Sequence, residues 1–387
     1  MNGNEKRIIT VLNHRGASTR KELSAACDIS WAATVKLVNR LERRGMIRCL
    51  GESFHKTENG KTSLLYDIAE LQPLAIGIDV AYGLTTVTVQ NLRHSLYYSE
   101  TAPSPEKCSV EELVEFLAGL VGKCREDMAK QRLAVEGIGV GIPGMLIPSG
   151  QLPFELVAES LSRLCSLPVV ADNNIRAYTL YLQKQFATRD SFAAFIIRRG
   201  IGVGIILDGK LFRGNSGLAG ELGHLTVDPG GPLCRCGKNG CVEVYFNQQE
   251  LARTWAGISG LSFPATEQEE RRMVSNLFSE SAADNPKAIT LLEQKASYLF
   301  PAVAGLLLSF DIGDIVINGH FGPRGDKLIS SLSGILSKTV SSRFCHLLSY
   351  REIEDKGFVI GAAMLFQNQY YDYSVLSLNR HINGKAG

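Results

Sequence analysis

The residues best suited to chemistry in this 387-residue chain are one histidine and three cysteines that lie within 18 positions of one another. They are His224, Cys234, Cys236 and Cys241. One imidazole and three thiolates are the donor set of a closed, tetrahedral zinc site of the structural type. Such a site leaves no position open for water, so we expect a zinc ion that stabilises a loop and catalyses no hydrolysis. The alternative is a chance group of cysteines that binds nothing.

The elements that must position this cluster alternate between strands and helices from residue 73 onward. The β-rich runs 75–80 and 84–89 predict a strand pair, and residues 110–130 predict a long helix. A second alternation of strands and helices begins at Phe192. Two successive α/β halves favour a cleft between two lobes, which is where ligands of such folds usually bind.

The composition is that of a globular protein with more than one domain. Hydrophobic residues make up 45% of the chain and charged residues 21%, which excludes a disordered, collagenous or coiled-coil protein. The length predicts about two to three domains. Nine cysteines, an odd number and scattered apart from the cluster, are typical of a reducing compartment. No stretch approaches 18 uncharged apolar residues, and the first residues carry charges where an export signal is apolar. We therefore expect a cytoplasmic protein that does not bind membranes.

Charge is distributed unevenly along the chain. Residues 1–62 hold 12 Lys and Arg against 6 Asp and Glu, a net charge of +6, whereas the remaining 325 residues carry a net charge of −4. A basic head on a slightly acidic body suggests that the head contacts a polyanion, most often nucleic acid. Taken alone, this charge distribution fits a solvated basic surface equally well.

Three helices are predicted within the basic head. The first spans residues 5–13, the second Arg20–Cys27, and the third runs from its cap Ser30 to Arg44. In the third helix Val35, Val38 and Leu41 recur at helical spacing and are expected to pack inward. The opposite face then presents Trp31, Ala32, Lys36, Asn39, Arg40 and Arg43. Two helices joined by a tight turn, the second with small and cationic side chains, fit the major groove of DNA.

A β-hairpin follows the third helix. Residues 46–50 and 63–68 predict its strands, and Lys61 lies near its tip. Three helices and a basic hairpin resemble a winged helix-turn-helix, in which the third helix reads base edges and the wing meets phosphate or the minor groove. The sequence therefore predicts a DNA-binding head, with a helical domain that docks only onto protein as the alternative. The candidate DNA contacts are Ser30, Lys36 and Arg40 in the helix and Lys61 in the wing.

The residues around the cluster resemble a family signature. The run Gly220-Glu221-Leu222-Gly223-His224 is followed, after nine residues, by Cys234-x-Cys236-Gly237-x-x-Gly240-Cys241-x-Glu243. This pattern is similar to the signature of the ROK family (repressors, open reading frames and sugar kinases), and further motifs agree over roughly residues 75–366. Together with the winged helix, they make the chain resemble the sugar-responsive repressors of the NagC/XylR/Mlc type.

This resemblance implies an architecture and a ligand site. The implied fold is an α/β, actin-like ATPase (ribonuclease H-like) domain of two lobes at 71–387, with the zinc loop at 224–243, preceded by an α+β winged helix-turn-helix domain at 1–70. The resemblance also implies sugar-binding residues, namely Asn173, Asn174, Glu221, Glu243 and His224, the last of which doubles as a zinc ligand. Carboxylates suit this task because each accepts more than one hydroxyl hydrogen. For the two glutamates the alternative is a solvated pair or a helix cap.

The sequence departs from the kinases of this family at three points. After Asp79 and one further residue the kinases have Gly-Gly-Thr-Lys, where this chain has Ala-Tyr-Gly-Leu, and a second phosphate turn, normally Gly-Thr-Gly, reads Arg198-Arg199-Gly200. The catalytic Asn-Asp pair reads Asn173-Asn174, and an amide cannot take a proton at neutral pH. Three changes in one catalytic apparatus predict that phosphoryl transfer is lost and that the protein is not an enzyme.

Two further features bear on the ligand. The segment 145–167 is shorter than its counterpart in the family, which suggests a reshaped pocket or a ligand other than a free hexose. Arg198 and Arg199 favour a phosphorylated or anionic ligand if they face the former phosphate position. Simple exposure of both side chains is the alternative.

Together these features predict a transcriptional regulator, a repressor of carbohydrate-metabolism genes that binds a double-stranded DNA operator and responds to a sugar or sugar phosphate. The resemblance implies a homodimer or homotetramer on a palindromic operator. Two alternatives stay open. One is an active ATP-dependent sugar kinase with a DNA-binding head, and the other is a regulator controlled by a partner protein instead of a small molecule.

Overall fold

The computed structural model describes residues 2–52, 63–70, 73–81, 83–105, 108–144, 153–186 and 190–371. Within them, the residues up to Tyr181 and from Phe358 onward form one compact unit, and Leu182–Gly357 form a second. None of the helices in these ranges is long and apolar enough to cross a membrane.

Strands and helices alternate along the described chain. The strands are β1 (Ser18–Thr19), β2 (Ile47–Glu52), β3 (Leu64–Ile68), β4 (Leu74–Val80), β5 (Leu84–Asn91), β6 (Leu96–Pro103), β7 (Val135–Ile142), β8 (Val169–Asn173), β9 (Phe192–Ile197), β10 (Ile201–Leu207), β11 (Lys210–Leu211), β12 (Ile315–Gly319) and β13 (Leu348–Glu352). The helices are α1 (Gly3–Arg15), α2 (Arg20–Cys27), α3 (Trp31–Arg43), α4 (Val110–Lys130), α5 (Phe154–Cys165), α6 (Asn174–Gln185), α7 (Val242–Tyr245), α8 (Gln248–Ser259), α9 (Glu267–Ala282), α10 (Pro286–Phe310), α11 (Asp326–Leu336) and α12 (Lys356–Tyr370).

The head begins with three helices whose starts are fixed by side-chain caps. The Asn2 side chain accepts the N–H of Glu5 at the start of α1, and the Thr19 side chain accepts the N–H of Glu22 at the start of α2. Both are capping boxes, in which the glutamate also accepts the N–H of the cap residue. Ser30 caps α3, as the sequence predicts. The three predicted helices are confirmed, with ends displaced by at most two residues.

The buried face of α3 differs in part from the expectation. Val38 and Leu41 are buried as predicted, but Thr34 is buried where Val35 was expected, and Val35 is only half-buried. Thr34 tolerates the interior because its hydroxyl donates to the carbonyl oxygen of Ser30, 3.0 Å away. The expectation for Val35 is therefore wrong, because a hydroxyl satisfied within its own helix can be buried in place of an apolar side chain.

The head completes its fold with a three-stranded sheet in the order β1-β3-β2. Strands β2 and β3 are antiparallel, with Ile47 opposite Ile68, so the predicted hairpin is confirmed. The predicted wing contact Lys61 lies outside the described residues. Its role as a DNA contact therefore stays a prediction.

The head shares an apolar core with the rest of the first unit. Its buried side chains pack with Leu92, which follows β5, and with Tyr371, which follows α12. The ammonium nitrogen of Lys6 lies 4.5 Å from the centre of the Tyr370 ring. The head is therefore held against the turn between β5 and β6 and against the C-terminal end of α12.

The first unit also contains a five-stranded sheet in the order β6-β5-β4-β7-β8. Strands β4, β5 and β6 are antiparallel neighbours, whereas β7 is parallel to β4 and β8 is parallel to β7. Helix α12 lies close against β7 and α6 because glycines remove two side chains. A Cβ atom on Gly139 would lie 1.8 Å from the carbonyl oxygen of Ala362, and one on Gly361 would lie 1.9 Å from that of Ala177.

The second unit contains a sheet of the same pattern, in the order β11-β10-β9-β12-β13. The first three strands are antiparallel neighbours, β12 is parallel to β9, and β13 is parallel to β12. Every residue of β9 and β12 is buried, as expected for central strands that are covered on both faces. The two α/β halves predicted from the sequence are thus two sheets of equal strand order.

Candidate functional site

The predicted zinc ligands lie in the second unit, on a loop that several backbone hydrogen bonds fold tightly. His224 ends a short 3-10 turn, and its chain pairs back on itself where Thr226 bridges to Cys241. The N–H of Cys234 donates to the carbonyl of Lys238 (2.7 Å), which closes the turn that carries Cys234 and Cys236. Gly240 is required for this fold, because it has φ +65° and a Cβ atom there would lie 1.5 Å from the carbonyl oxygen of Asp228.

The four side chains meet at one point with distances that fit a metal centre. Their ligand atoms all lie within 4.8 Å of one another. The Sγ atoms of Cys236 and Cys241 are 3.6 Å apart, and Sγ of Cys234 lies 3.5 Å from Nδ1 of His224. In a tetrahedral zinc site the bond lengths require about 3.8 Å between two sulfurs and about 3.6 Å between sulfur and nitrogen. A disulfide needs sulfurs about 2.05 Å apart, so this arrangement suits an ion and not a bridge between cysteines.

The pKa values of the three thiols are shifted in different directions. Burial raises the pKa of Cys241 to about 12 and also raises the pKa of Cys234 above its ordinary value. For Cys236, burial raises the pKa, but the backbone N–H of Lys238 and the two neighbouring thiols together lower it below its ordinary value. Thiols bind a metal in their deprotonated form, so metal binding here would release the protons that burial favours on Cys234 and Cys241. These residues can hold a metal ion.

The Glu243 carboxylate, predicted to face sugar hydroxyls, is buried and bound by protein groups. It lies on α7, two residues after Cys241, and its side chain is 5% exposed. One oxygen accepts the backbone N–H of Ile201 (2.9 Å) and Nη2 of Arg235 (3.0 Å), and the other lies 2.7 Å from Nε of Arg235. A carboxylate offers about four acceptor positions, so these three interactions leave little capacity for a hydroxyl. Arg235 stands between two of the predicted zinc ligands, so the metal loop also positions the partner of Glu243.

Glu221 lies directly before the 3-10 turn that ends at His224, and it is half-buried. The chain can reach this position because Gly220, with φ +92°, passes within contact of β10. A Cβ atom on Gly220 would lie 1.8 Å from the carbonyl oxygen of Val203. The structure therefore places Glu221, His224 and Glu243 in the second unit, all next to the metal loop.

The other predicted sugar contacts, Asn173 and Asn174, lie in the first unit where β8 ends and α6 begins. The Asn173 side chain accepts the N–H of Ile175 (2.8 Å), and Asn174 is buried with its Nδ2 3.5 Å from the carbonyl of Val80. Asn174 is thereby held at the end of β4, one residue from the backbone of Asp79.

Asp172, the carboxylate next to these two asparagines, forms a buried ion pair. Its Oδ1 lies 2.7 Å from Nη1 of Arg176, and the two side chains are 6% and 5% exposed. The Asp172 carboxylate is therefore paired within the protein, with a guanidinium one helical turn away.

Arg198 and Arg199 have carboxylate partners, which neither interpretation from sequence includes. Arg199 forms two hydrogen bonds to Glu270 (3.1 and 3.2 Å), and Arg198 lies 3.8 Å from Glu267. Both glutamates come from α9, about 70 residues further along the chain. The positive charge of the turn after β9 is therefore compensated within the protein.

This charge pairing continues across the carboxyl ends of β12 and β13. Arg271 donates to Glu267 (2.8 Å) and to Asp355 (2.7 Å), and Nε2 of His320 lies 3.3 Å from Asp355. Burial raises the pKa of Asp355, but His320 and Arg271 outweigh it and hold that pKa well below its ordinary range. Of the charged pairs described above, only that of Arg235 with Glu243 has an indication in the sequence, because Arg235 lies between two of the predicted ligand cysteines. The partners on α9 are distant in sequence, and no local pattern indicates them.

The predicted DNA contacts in the head differ in whether a charged group of the protein lies next to their side chains. Ser30 is exposed and uses its Oγ to accept the N–H of Ala33 (3.4 Å), and Lys36 is exposed on α3. Arg40 lies 3.4 Å from Glu5, a carboxylate of α1 whose side chain is 3% exposed. The structure thus places Ser30 and Lys36 on the open face of α3 and ties Arg40 to α1.

Comparison with known proteins identifies the family. The ROK family model matches residues 75–369. The N-acetylmannosamine kinase of Vibrio cholerae serotype O1 is 30% identical over 247 residues, which are 60% of this chain and 79% of that protein. The xylose repressor of Bacillus subtilis is 21% identical over 351 residues and 88% of each chain.

A solved structure shares the fold over almost the whole length. It is described as a ROK family transcriptional regulator, a homologue of the Escherichia coli MLC protein. It superimposes with a TM-score of 0.78 at 21% identity and covers 97% of both chains. The α/β, actin-like fold expected from the sequence is confirmed, and this chain belongs to the ROK family.

Proposed function

We propose that this protein is a sequence-specific, DNA-binding transcriptional regulator, a repressor of carbohydrate-metabolism genes. The observation that carries the proposal is the head, in which a capped helix, α3, presents an exposed face that includes Lys36, with a β-hairpin beside it. This is the arrangement with which helix-turn-helix proteins enter the major groove. The net charge of +6 over residues 1–62 favours a polyanionic partner.

The comparisons support the proposal through the length of chain that they cover. The match to the xylose repressor covers 88% of this chain. The head holds more residues than the match leaves out, so the match extends into residues 1–70. The match to the N-acetylmannosamine kinase covers 60% of the chain, a length that the body alone can supply. A match to a repressor that extends from the body into part of the head favours a regulator.

The body is, in this proposal, a degenerate kinase domain that senses a sugar or sugar phosphate. Asn174 stands where the family's kinases have a catalytic carboxylate, and the nearby Asp172 carboxylate is paired with Arg176. Arg198 and Arg199 already have carboxylate partners, so their charge does not by itself favour a phosphate group. The candidate sugar contacts remain Asn173 and Asn174 in the first unit, together with Glu221, His224 and Glu243 in the second.

Zinc is the metal proposed for the cluster of one imidazole and three thiolates, in a structural role. Its four ligands hold the loop that carries Arg235 and, shortly after Cys241, the buried Glu243. A homodimer or homotetramer is proposed because a palindromic operator needs two symmetric heads.

The proposal is tested by fluorescence anisotropy with the full-length protein and a labelled duplex from the DNA upstream of its own coding region. The titration is run at about 50 mM and about 200 mM salt, with random duplex DNA of equal length as the control. A panel of sugars and sugar phosphates is then added. We expect tight, salt-sensitive binding that one compound changes. Equal affinity for the upstream and the random duplex would remove the repressor proposal.

An active sugar kinase is the second candidate, because a relative with 30% identity carries that name. A coupled assay for ADP release, with N-acetylmannosamine, glucose and xylose as acceptors, separates the two. We expect no turnover above the rate of ATP hydrolysis without sugar. Sugar-dependent ADP release would establish the kinase, whether or not the protein also binds DNA.

A further inference from the structure

The open face of α3 carries an unusual side chain for a water-facing position. Trp31, the first residue of the helix, is 57% exposed. The chain has two tryptophans, and the other, Trp255, is 2% exposed with its Nε1 donating to Asn276 (2.8 Å). A large indole gains free energy when it leaves water, so an exposed one at a binding surface indicates an apolar contact with a partner.

The neighbours of Trp31 define the chemistry of this face. Ala32 and Lys36, four positions apart, lie one above the other and are both exposed. Three arginines on or beside α3 have partners within the protein. Arg40 and Arg44 both lie within 4.0 Å of the buried Glu5, and Arg20 donates to Asn39 (2.6 Å).

The surface at the start of α3 therefore includes the indole of Trp31, the methyl group of Ala32, the hydroxyl of Ser30 and the ammonium group of Lys36. No ion pair of Lys36 occurs among the described residues. The occupant that fits is double-stranded DNA, because the surface belongs to a basic head and lies at the end of the helix that contacts base edges in helix-turn-helix proteins. The apolar group that the major groove offers is the 5-methyl group of thymine, and the other base-pair features there are hydrogen-bond donors and acceptors.

We infer that Trp31 is a specificity-determining residue of this protein, which selects thymine by packing its indole against the 5-methyl group in the major groove. Lys36 lies beside it and contacts a phosphate or a guanine edge. This inference rests on the proposed function, since it names the base that the head reads.

The test removes the methyl group from the DNA and the indole from the protein, separately and together. Each thymine in the shortest upstream duplex that the wild-type protein binds is replaced in turn by deoxyuridine, which lacks only the 5-methyl group. Full-length wild type, Trp31→Ala and Trp31→Phe are titrated against each duplex. Leu164→Ala is the matched control, because Leu164 is 61% exposed on α5, outside the head.

We expect deoxyuridine at one thymine in each half-site to weaken wild-type binding by about fourfold, the effect of one buried methyl group. Trp31→Ala should bind the thymine duplex on the order of tenfold more weakly and show no further loss with deoxyuridine at that position. Trp31→Phe should keep part of the methyl effect. Leu164→Ala should behave as wild type throughout.

Three results would overturn the inference. They are an unchanged affinity of Trp31→Ala, a methyl effect of equal size in wild type and Trp31→Ala at every thymine, and a change of oligomeric state in Trp31→Ala by sedimentation. The last result would make Trp31 a contact between copies of the chain. If wild type itself prefers no duplex, the proposed function fails first, and that outcome is visible before any variant is made.

Tryptophan fluorescence gives a second, independent readout. Acrylamide quenches an exposed indole, and here that signal comes from Trp31 because Trp255 is buried. We expect the upstream duplex to protect the quenchable fraction in wild type, and Trp31→Phe to lack that fraction. Undiminished quenching of the DNA-bound protein would place Trp31 outside the interface.

Discussion

Tyr371 joins the head to the body of the first unit, and its removal should loosen the head selectively. The side chain is 1% exposed and packs in one core with Leu92 and with apolar residues of the head. Its ring meets that of Tyr370 edge to face, with the ring centres 5.1 Å apart, and Tyr370 in turn lies under Lys6 of α1. Tyr371→Ala therefore opens a cavity at the base of the head.

The magnitude of this effect follows from the size of the side chain. Truncation of a fully buried aromatic residue costs about 3–5 kcal/mol. If that cost falls on the contact between head and body, the opening equilibrium of the head rises by about two to four powers of ten. The loss is large against the total stability of a domain, about 5–15 kcal/mol.

Hydrogen exchange of the full-length protein measures this directly. Amides of α1 and α3 should exchange faster in Tyr371→Ala by the factor given above, while amides of β4 and β7 keep their protection. Phe358→Ala is the matched control, since Phe358 lies on α12, the helix that Tyr371 follows, is 1% exposed and has its ring centre 4.5 Å from that of Tyr178. Equal loss of protection in the head of both variants, or an unchanged head in Tyr371→Ala, would refute the shared core as the support of the head.

Three further predictions concern the second unit. Cys236→Ser should lose bound zinc, measured by elemental analysis, and should melt at a lower temperature than wild type. Cys345→Ser is the control, because Cys345 is also half-buried but lies outside the cluster, and it should keep the zinc and the melting temperature of wild type. Wild type that contains no stoichiometric zinc would contradict the metal site. Gly240→Ala should lower the free energy of unfolding by more than about 1 kcal/mol, because φ +65° and the close Asp228 carbonyl both oppose a Cβ atom at this position. An unchanged melting temperature would show that the loop adapts to the Cβ atom. Burial lowers the pKa of His320, but the carboxylates of Asp355 and Glu352 outweigh it and raise that pKa above its ordinary value. The stabilisation by protonated His320 is therefore complete below a pH of about 6.5 and is lost as the pH rises through the higher pKa of the folded protein. His320→Gln should lower the free energy of unfolding more at pH 6 than at pH 9. An equal decrease at both pH values would contradict this prediction.

Several local features of the fold were predictable from the sequence because their causes lie within a few residues. Ser30 caps α3 from the preceding position, and strands β2 and β3 that follow are indicated by their own residue patterns. The residues His224, Cys234, Cys236 and Cys241 converge because they share one short loop. Such features need no knowledge of the remaining chain.

What the sequence by itself determined is therefore the family signature, the three helices of the head and the four clustered residues that could hold a metal ion. The tertiary structure alone decided the long-range partners, since Arg199 meets Glu270 across 71 positions and Tyr371 packs in one core with buried residues of the head. It also decided that the Glu243 carboxylate is buried and bonded to Arg235 and to the backbone of Ile201. The physical reason is that charge and burial depend on which surfaces meet in space, and residue types and spacing along the chain do not specify that meeting.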